Sequence, residues 1–527
     1  MNARAVARVT PFWRSRTSIR PSLTDAPVKD HGDRVVVQGF MFFPRGGSAQ
    51  VVRYLCHALA RVGWGPRLAA GSVGVAGDSS HAATFFAGLD VHAVDFTPAL
   101  AAWERGDDPL DQTHPLHPSF EDRPGAPDRV FARVSPALAE RQVAVWARAL
   151  DAAGAPRADV LHLHHLTPLH DAALRVAPEL PVVTHLHGTE LLMLEEIGRL
   201  SANPRRATTV QPPDLTTWPY AEHWVRRMRA AARRSGRVLV VSPDQAVRAA
   251  RILGLPDEQL TVVPNGVDTK RFDRLELRLE DRLSLLRRWL VDEPRGWDET
   301  GTPGSVRYSS SDLAAFVDAA SGRPRPVLLY VSRFTAVKRL PLLIRAYARL
   351  RTRLGPVAPL VVWGGHPGEW EGEHPQAIVR RYNVGKVFFV GWRGHDDLRL
   401  GLACADLLVV PSVGEAFDQV YLEAMASGLP VVATRTGGPP SFVNLDPGRP
   451  DGWLVPPDDE ALSPMRSPKP WPPPRNEGRE RTLHISTRGG GTPGLRSPSR
   501  SSRYMTGCVR DDKGVPISPR ASPALYR

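Results

Sequence analysis

The sequence lacks long apolar runs, and it has little cysteine. No apolar run approaches the roughly 18 residues that a membrane-spanning helix needs, so we expect no such helix. The three cysteines (Cys56, Cys404 and Cys508) lie far apart and match neither a disulfide framework nor a zinc-binding spacing. The first 32 residues also lack the apolar segment of a secretory signal. These absences predict a cytoplasmic chain in a reducing environment.

The middle of the chain lacks net charge, although the whole chain carries +13. Residues 1–32 contain six Lys/Arg against two Asp/Glu, and residues 463–527 contain thirteen against four. These two ends account for the entire excess, so the body between them has no basic face for nucleic acid. We therefore predict no nucleic-acid partner.

Segments typical of strands alternate with segments typical of helices along most of the chain. A strand is expected from residue 33, then the glycine pair Gly46-Gly47, then a helix that starts after Ser48. Later strands are expected at 159–164, 181–185, 237–241, 260–263, 326–332, 359–363, 386–390, 406–410 and 430–434. This alternation indicates parallel sheets with helices on both faces. The predicted fold class is α/β, with two doubly wound, Rossmann-like domains facing each other across a cleft.

Changes in composition suggest the domain boundaries. We predict an N-terminal domain over 33–274, an insertion and linker over 275–324, and a C-terminal domain over 325–462. Residues 1–32 are expected to be a disordered basic arm, or the product of a start codon assigned too early. Residues 463–527 are rich in Pro, Arg and Ser and are expected to be disordered. A reading-frame shift near codon 463 is our hypothesis for this abrupt change.

Candidate ligand-binding residues follow the predicted strands, where open α/β sheets bind ligands. Gly46 and Gly47 leave room for a ligand beside the backbone, although such a pair is often only a turn. Arg333 and Lys338 are placed to clamp a diphosphate between two cations; solvated surface charges are the alternative.

The segment 411–428 is the most informative of these candidates. Its Glu415 and Glu423 would lie roughly 12 Å apart along an uninterrupted helix, too far to share a proton or a metal. They could instead hold separate hydroxyl-bearing parts of one extended ligand, such as a hexose and a ribose. Backbone amides between them could face a phosphate. An amphipathic surface helix is the alternative.

Histidines are concentrated near two predicted strands of the first domain. His187 lies beside a glycine at a strand end, where it could contact a reacting sugar or its acceptor. His162, His164, His165 and His170 form a cluster in sequence. Since His162 and His164 only alternate along a strand, without an accompanying set of cysteines or carboxylates, we predict no metal ligand there.

Together these segments resemble the retaining glycosyltransferases of family 4, the group 1 enzymes, which have the two-domain GT-B fold. Residues 331–338 resemble that family's Gly-Arg…Lys-Gly motif, although Ser332 and Arg339 replace both glycines. Glu415 and Glu423 match its E-x7-E motif. Residues 437–438 match its later glycine pair, and residues 264–272 match the segment before its hinge.

The resemblance implies roles for the candidate residues. Arg333 and Lys338 would neutralise the departing diphosphate of a nucleotide-sugar donor, Glu415 would hold hydroxyls of the sugar, and Glu423 would hold the ribose. His187 would lie against the donor sugar, and Gly46 and Gly47 on the acceptor side. The remaining donor-binding positions would be Gly391 in the base-binding loop and the backbone of Phe417, Asp418, Gln419 and Val420. No metal and no other cofactor is expected.

Two departures from the family bear on activity. Asp418 stands where the family usually has glycine, and its carboxylate would repel a diphosphate. The family's last helix, which returns to the N-terminal domain, has no counterpart before the proline-rich tail.

The expected function is transfer of a sugar, with retention, from a nucleotide-diphosphate donor to a small-molecule or lipid-linked acceptor. The alternatives are a nucleotide-sugar epimerase, a phosphorylase, or a catalytically impaired relic that still binds donor. The acceptor, peripheral membrane association and the oligomeric state stay open.

Overall fold

A computed structural model describes residues 34–123, 125–202, 216–354, 358–445 and 450–459. The predicted arm (1–32) and tail (463–527) lie outside the described residues, as do residues 33 and 460–462 at the outer ends of the two predicted domains. No helix in the described ranges is both long enough and apolar enough to cross a membrane.

The first half of the described chain forms a parallel sheet of seven strands in the order β3-β2-β1-β4-β5-β6-β7. Its strands are β1 Arg34–Phe40, β2 Trp64–Ser72, β3 Asp90–Asp95, β4 Val160–His164, β5 Val182–His185, β6 Arg237–Val240 and β7 Leu260–Val262. The helices in this half are α1 Gly46–Arg61, α2 Ala82–Phe85, α3 Thr97–Glu104, α4 Pro136–Ala152, α5 Leu169–Val176, α6 Thr189–Ala202, α7 Ala221–Arg234 and α8 Pro243–Leu253.

The second half forms a parallel sheet of six described strands in the order β10-β9-β8-β11-β12-β13. Its strands are β8 Leu328–Ser332, β9 Leu360–Gly364, β10 Val387–Gly391, β11 Leu407–Val409, β12 Val431–Thr434 and β13 Gly452–Val455. Its helices are α9 Leu279–Arg287, α10 Leu340–Leu354, α11 Pro375–Arg381, α12 His395–Ala403 and α13 Gln419–Ala426. The predicted fold of two doubly wound parallel sheets is confirmed.

Each sheet has its own hydrophobic core. The first core lies between the seven-stranded sheet and its helices, with Trp146 and Trp224 among its largest buried side chains. The second core packs Tyr330 and Tyr347 against the six-stranded sheet. Inner strands such as β9 and β12 are buried on both faces and are rich in Val, as buried parallel strands require, whereas the edge strands β3 and β7 are partly exposed.

Some elements differ from the sequence-based prediction. Helix α1 begins at Gly46, and its N-cap is Arg45, so Ser48 does not cap it. Strand β2 was not predicted because its sequence, WGPRLAAGS, mixes glycine, proline and alanine with few branched side chains. Its strand conformation depends on pairing with β1 along seven residues.

The segment 275–324, predicted as an insertion and linker, packs into the second core. Helix α9 runs into a π-helical turn, and Trp289, Trp297 and Phe316 are buried against the six-stranded sheet. The hydroxyl of Tyr308 accepts a hydrogen bond from the Phe389 amide at 2.8 Å, on the edge strand β10. The segment therefore covers backbone groups of an otherwise open sheet edge.

Candidate functional site

The strand order of the second sheet brings together two loops that carry predicted ligand-binding residues. Strands β8 and β11 are neighbours although β9 and β10 lie between them in sequence, so the order of the sheet reverses at this point. Ligands of open α/β sheets bind beyond the carboxyl ends of the strands at such a reversal. Arg333 follows β8, and the segment from Pro411 to α13 follows β11.

Lys338 is the buried centre of this site. Its ammonium lies 2.8 Å from a carboxylate oxygen of Glu415 and 2.7 Å from one of Asp418. Burial lowers the pKa of Lys338, but Asp418 and Glu415 outweigh this effect, and the net pKa is raised. Burial raises the pKa of Glu415, against the opposing effect of Lys338. One buried cation thus holds two partly buried acids just before α13.

The geometry corrects the sequence-based interpretation of Glu415 and Glu423. Helix α13 begins only at Gln419, so Glu415 lies in the preceding loop and the two acids are not on one uninterrupted helix. Glu415 turns toward Lys338, whereas Glu423 lies within the helix and contacts a different partner. The prediction that the two acids serve separate parts of a ligand is compatible with this arrangement.

Two residues that replace family glycines keep a glycine-like backbone. Asp418 has φ +64° and Arg339 has φ +53°. A left-handed conformation costs a residue with a Cβ about 1–2 kcal/mol relative to glycine. Ion pairs hold both side chains, Asp418 with Lys338 at 2.7 Å and Arg339 with Asp458 at 2.8 Å. The loops therefore retain the shape that glycine favours, with charged side chains added.

Arg333 forms a two-point ion pair across the cleft. Its guanidinium donates to both carboxylate oxygens of Glu121 in the N-terminal domain, at 2.8 and 2.9 Å. Burial raises the pKa of Glu121, but Arg333 outweighs it and the pKa is lowered to about 2. The cation predicted to bind a diphosphate is thus already paired with a carboxylate of the opposite domain.

Further ion pairs extend this contact between the domains. Arg123 lies 2.6 Å from Asp128 in its own domain and 2.8 Å from Glu369 in the other. Arg45, just before Gly46, also lies 2.6 Å from Asp128. A ligand that entered between the domains at this point would meet arginines that are already balanced by acids.

Glu423 lies beside His395, the first residue of α12. Its carboxyl oxygen is 3.3 Å from Nε2 of His395, and the hydroxyl of Tyr54 in α1 approaches the same nitrogen at 3.3 Å. Burial raises the pKa of Glu423 to about 8, and the neighbouring Asp418 adds to the shift. Burial also lowers the pKa of His395 to about 3. At neutral pH the predicted ribose-binding acid is therefore largely protonated.

Glu423→Gln is expected to stabilise the chain increasingly as pH rises. The folded state keeps the Glu423 proton up to about pH 8, whereas the unfolded chain loses it near 4.5. The stability contributed by this raised pKa is complete below about pH 4.5 and is lost as pH rises through 8. Because glutamine is neutral throughout, the unfolding free energy of the variant should exceed that of wild type by up to about 5 kcal/mol at pH 8.5, since the shift from 4.5 to about 8 contributes about 1.4 kcal/mol per pKa unit.

Urea unfolding at pH 5 and pH 8.5 measures this difference. The matched control is Glu222→Gln, which replaces an acid whose side chain is 90% exposed. Its unfolding free energy should not rise relative to wild type between pH 5 and pH 8.5. An equal difference between wild type and Glu423→Gln at both pH values would contradict the expectation.

His187 lies at the edge of a buried stack of imidazole rings. Its Nε2 is 3.0 Å from Nδ1 of His164, and its ring stacks on His185 with centroids 4.6 Å apart. The backbone amides of His187 and Gly188 both donate to the carboxylate of Glu190, at 2.9 and 3.1 Å. Burial, with the neighbouring histidines adding, lowers the pKa of His187 well below its usual value. His187 is therefore a neutral, fixed imidazole.

The loop after β5 touches the loop after β11, which brings the two predicted halves of the site together. Gly188 has φ +108°, and a Cβ there would lie 2.5 Å from the Cβ of Ala416. The buried side chains of Ala416 and Phe417 also pack against Val241 of the N-terminal domain. Gly188 and Ala416, which follow His187 and Glu415 in the sequence, are therefore in contact.

The remaining predicted residues differ in their surroundings. Apart from their chain neighbours and the backbone of α1, no atom of the described residues lies within 4 Å of the side-chain positions of Gly46 and Gly47, so both adjoin open space. The amide of Gln419 donates to the carbonyl of Gly266, and Val420 is buried. Gly391 has φ +77°, and a Cβ there would clash with the carbonyl oxygen of Arg295 at 2.1 Å. The predicted base-binding loop therefore touches the inserted segment.

Several residues of the site were not predicted. Glu121, Arg123 and Asp128 lie in a long irregular stretch before α4, where no periodicity or motif marks them. Glu369 and His395 contact partners more than two hundred residues away in the sequence. Only the packing of the two domains reveals them.

Comparison with known proteins identifies the architecture. The structure of sucrose-phosphate synthase from Thermosynechococcus elongatus superposes with a TM-score of 0.52 at 19% identity, covering 82% of this chain and 88% of that one. The fold is the GT-B fold of two facing Rossmann-like domains.

Sequence comparison assigns the family. Residues 45–271 match the profile described as Glycosyltransferase Family 4, and residues 325–463 match that of Glycosyl transferases group 1. The chain belongs to this glycosyltransferase family, and the predicted membership is confirmed. The inserted segment 275–324 lies wholly between the two matches.

Two relatives illustrate the extent of the similarity. An uncharacterized glycosyltransferase of Methanocaldococcus jannaschii is 27% identical over 287 residues, which is 54% of this chain and 60% of the relative. The D-inositol 3-phosphate glycosyltransferase of Salinispora arenicola is 36% identical over 163 residues, 27% of this chain and 36% of the relative. The chain thus spans less than two thirds of the length of these relatives.

Proposed function

We propose that this chain transfers a glycosyl unit from a nucleotide-diphosphate sugar to a small-molecule or lipid-linked acceptor, with retention of anomeric configuration. Family membership supports glycosyl transfer. The donor class is supported chiefly by one observation. The buried ammonium of Lys338 lies beside Asp418, the N-cap of α13, near the carboxyl ends of β8 and β11, where the strand order of the sheet reverses. A fixed cation beside a helix N-terminus favours a phosphate.

The proposed chemistry depends on stabilising the leaving diphosphate. Lys338 and Arg333 would neutralise its developing charge, and preorganised charges in a buried site contribute most when charge appears in the transition state. Glu415, bound to Lys338 at 2.8 Å, would hold hydroxyls of the sugar. His187 is neutral and would accept or donate a hydrogen bond at the sugar rather than act as a cation.

Donor binding requires two carboxylates to move or be replaced. Glu121 is paired with Arg333, and Asp418 is paired with Lys338. A diphosphate that binds Arg333 must displace the Glu121 carboxylate. Because Glu121 belongs to the other domain, we expect the two domains to shift at this contact. Asp418 belongs to the same loop as the site and cannot withdraw in this way. This contact favours the second candidate function, a donor-binding relic with impaired turnover.

A donor screen on the purified full-length chain tests the proposal. One of the UDP-, GDP- or ADP-sugars should raise the melting temperature, since a ligand at 100 times its Kd adds about 2.7 kcal/mol to the unfolding free energy. Inositol phosphates and lipid-linked sugars are the first acceptors to supply with that donor. Release of the nucleotide that depends on the acceptor, with an unchanged anomeric configuration in the product, is the expected result.

Other outcomes distinguish the alternatives. Donor conversion without acceptor would indicate an epimerase, and a requirement for inorganic phosphate would indicate a phosphorylase. Donor binding without turnover would support the relic. If no nucleotide sugar binds or is hydrolysed, the donor class proposed for this chain is wrong.

A further inference from the structure

We propose that His162, His164 and His185 form a binding site for a divalent transition metal ion, with zinc as the representative ion, inside the N-terminal domain. The proposed site is separate from the diphosphate site around Lys338. It does not depend on the proposed function. It departs from the sequence-based prediction that no metal ligand lies among these histidines, a prediction that considered only the alternation of His162 and His164 along one strand.

The sheet brings together three histidines that the sequence separates. Strands β4 and β5 pair in parallel with His164 opposite His185. Side chains two residues apart on a strand, and side chains opposite each other on neighbouring strands, project from the same face of a sheet. His162, His164 and His185 therefore share one face. Residues on β4 alone supply only two of these ligands.

The three imidazoles are close enough to hold one ion. Their rings stack with centroids 4.7 to 5.5 Å apart. One ring nitrogen from each lies within 4.8 Å of the other two. Zinc–nitrogen bonds of about 2.0–2.1 Å place tetrahedral ligand nitrogens about 3.4 Å apart, so the nitrogens must approach by up to about 1.4 Å. The rings, whose planes are 9° to 28° apart, must also tilt so that their in-plane lone pairs converge on the ion. The three side chains are buried, with exposures of 8%, 0% and 3%.

Unpartnered nitrogens in this cluster point to a missing ligand. Three buried ring nitrogens have no hydrogen-bond partner among the described residues: Nδ1 and Nε2 of His185, and Nε2 of His162. A buried polar atom left without a partner destabilises the folded state, because it has lost its hydrogen bond to water and gained none. His170 shows the usual arrangement in the same domain, since both of its ring nitrogens are hydrogen-bonded. A metal ion would satisfy the lone pairs that this arrangement leaves unused.

The surroundings resemble those of a metal site in two respects. Nε2 of His164 lies 2.8 Å from Oε1 of Gln38, an acceptor of the kind that orients a metal-bound imidazole through its other ring nitrogen. The buried carboxylate of Glu190, 3.2 Å from His165, contributes negative charge to the same histidine cluster. A fourth imidazole is adjacent, because His187 Nε2 lies 3.0 Å from His164 Nδ1.

The ligand set selects the class of ion. Three imidazoles without a thiolate suit zinc, copper, nickel or cobalt, whereas magnesium and calcium require oxygen ligands. Zinc accepts three histidines in a tetrahedral site. Cobalt in the same geometry is coloured and reports its own coordination.

Metal binding to the full-length chain tests the proposal. The protein, purified with a tag that contains no histidine and stripped by a chelator, is titrated with zinc chloride against a chromophoric chelator. One zinc ion per chain with a Kd below about 1 µM is expected, and cobalt should give the visible absorption of a tetrahedral nitrogen site. His185→Gln should weaken zinc binding at least about 100-fold.

Controls separate this site from the other histidines. His92→Gln, on β3 of the same domain with a side chain 30% exposed, should bind zinc like wild type. His162→Gln serves as a second ligand variant if His185→Gln does not fold, with circular dichroism confirming the fold. Wild-type protein that binds no zinc at micromolar concentration would overturn the proposal, as would folded ligand variants that bind zinc with unchanged affinity.

Discussion

Asp418→Gly is expected to tighten the binding of a nucleoside diphosphate by at least about tenfold. The Asp418 carboxylate lies 2.7 Å from Lys338, the cation proposed to bind the diphosphate. Two like charges about 4 Å apart repel by about 4 kcal/mol at an effective dielectric constant of 20, so a fraction of that energy accounts for a tenfold effect. Glycine also suits the backbone better, since φ is +64° here. Titration calorimetry with UDP, GDP and ADP measures the change.

Two further variants separate charge from backbone. Asp418→Asn removes the charge but keeps the Cβ, so it should give most of the gain if repulsion dominates. Asp458→Gly is the matched control, because Asp458 also has a positive φ and also pairs with an arginine, but lies outside the proposed phosphate site. It should leave nucleotide affinity unchanged. If neither Asp418 variant binds any of the three nucleotides more tightly, Asp418 does not exclude the diphosphate.

Turnover of these variants also decides between the two candidate functions. Sugar transfer that appears in Asp418→Gly and is absent from wild type would support the relic. Transfer by the unmodified chain would exclude it. A purified wild-type chain with full activity would mean that the loop around Asp418 rearranges when donor binds.

Lys338→Met is expected to destabilise the chain by about 3–5 kcal/mol and to abolish nucleotide binding. Removing one partner of a buried ion pair leaves uncompensated charge, which costs about this much. Here two acids, Glu415 and Asp418, lose the same cation. Urea unfolding of the variant measures the loss of stability, and calorimetry measures nucleotide affinity. Lys270→Met, which replaces an exposed lysine, should change neither.

A double variant tests the physical reason for this loss. Lys338→Met combined with Asp418→Gly removes the cation and one of the two acids, so it should recover part of the lost unfolding free energy. The two substitutions are therefore expected to be non-additive. Strict additivity would mean that Lys338 and Asp418 do not interact energetically, contrary to their 2.7 Å contact. Nucleotide binding should stay absent, because the diphosphate still lacks its buried cation.

Local sequence was enough to predict much of the fold. The central strands of both sheets are continuous apolar runs next to glycine and charged turns, and these features depend only on neighbouring residues. Strands β2, β3 and β13 escaped prediction: β2 and β3 lack such runs, the apolar part of β13 is short, and all three depend on pairing within their sheets. The start of α13 was misjudged because the backbone turn at Asp418, not residue preference, delays the helix to Gln419.

The sequence by itself determined the family, the parallel architecture and the residue types of the site, since Arg333, Lys338, Glu415 and Glu423 occupy recognisable positions within short motifs. Only the tertiary structure decided which charges meet. Glu121 reaches Arg333 across 212 positions, and His185 joins His162 and His164 through strand pairing. Contacts of this kind arise from the packing of sheets and domains, and side-chain charge and hydrogen-bonding capacity do not specify a partner until that packing is complete.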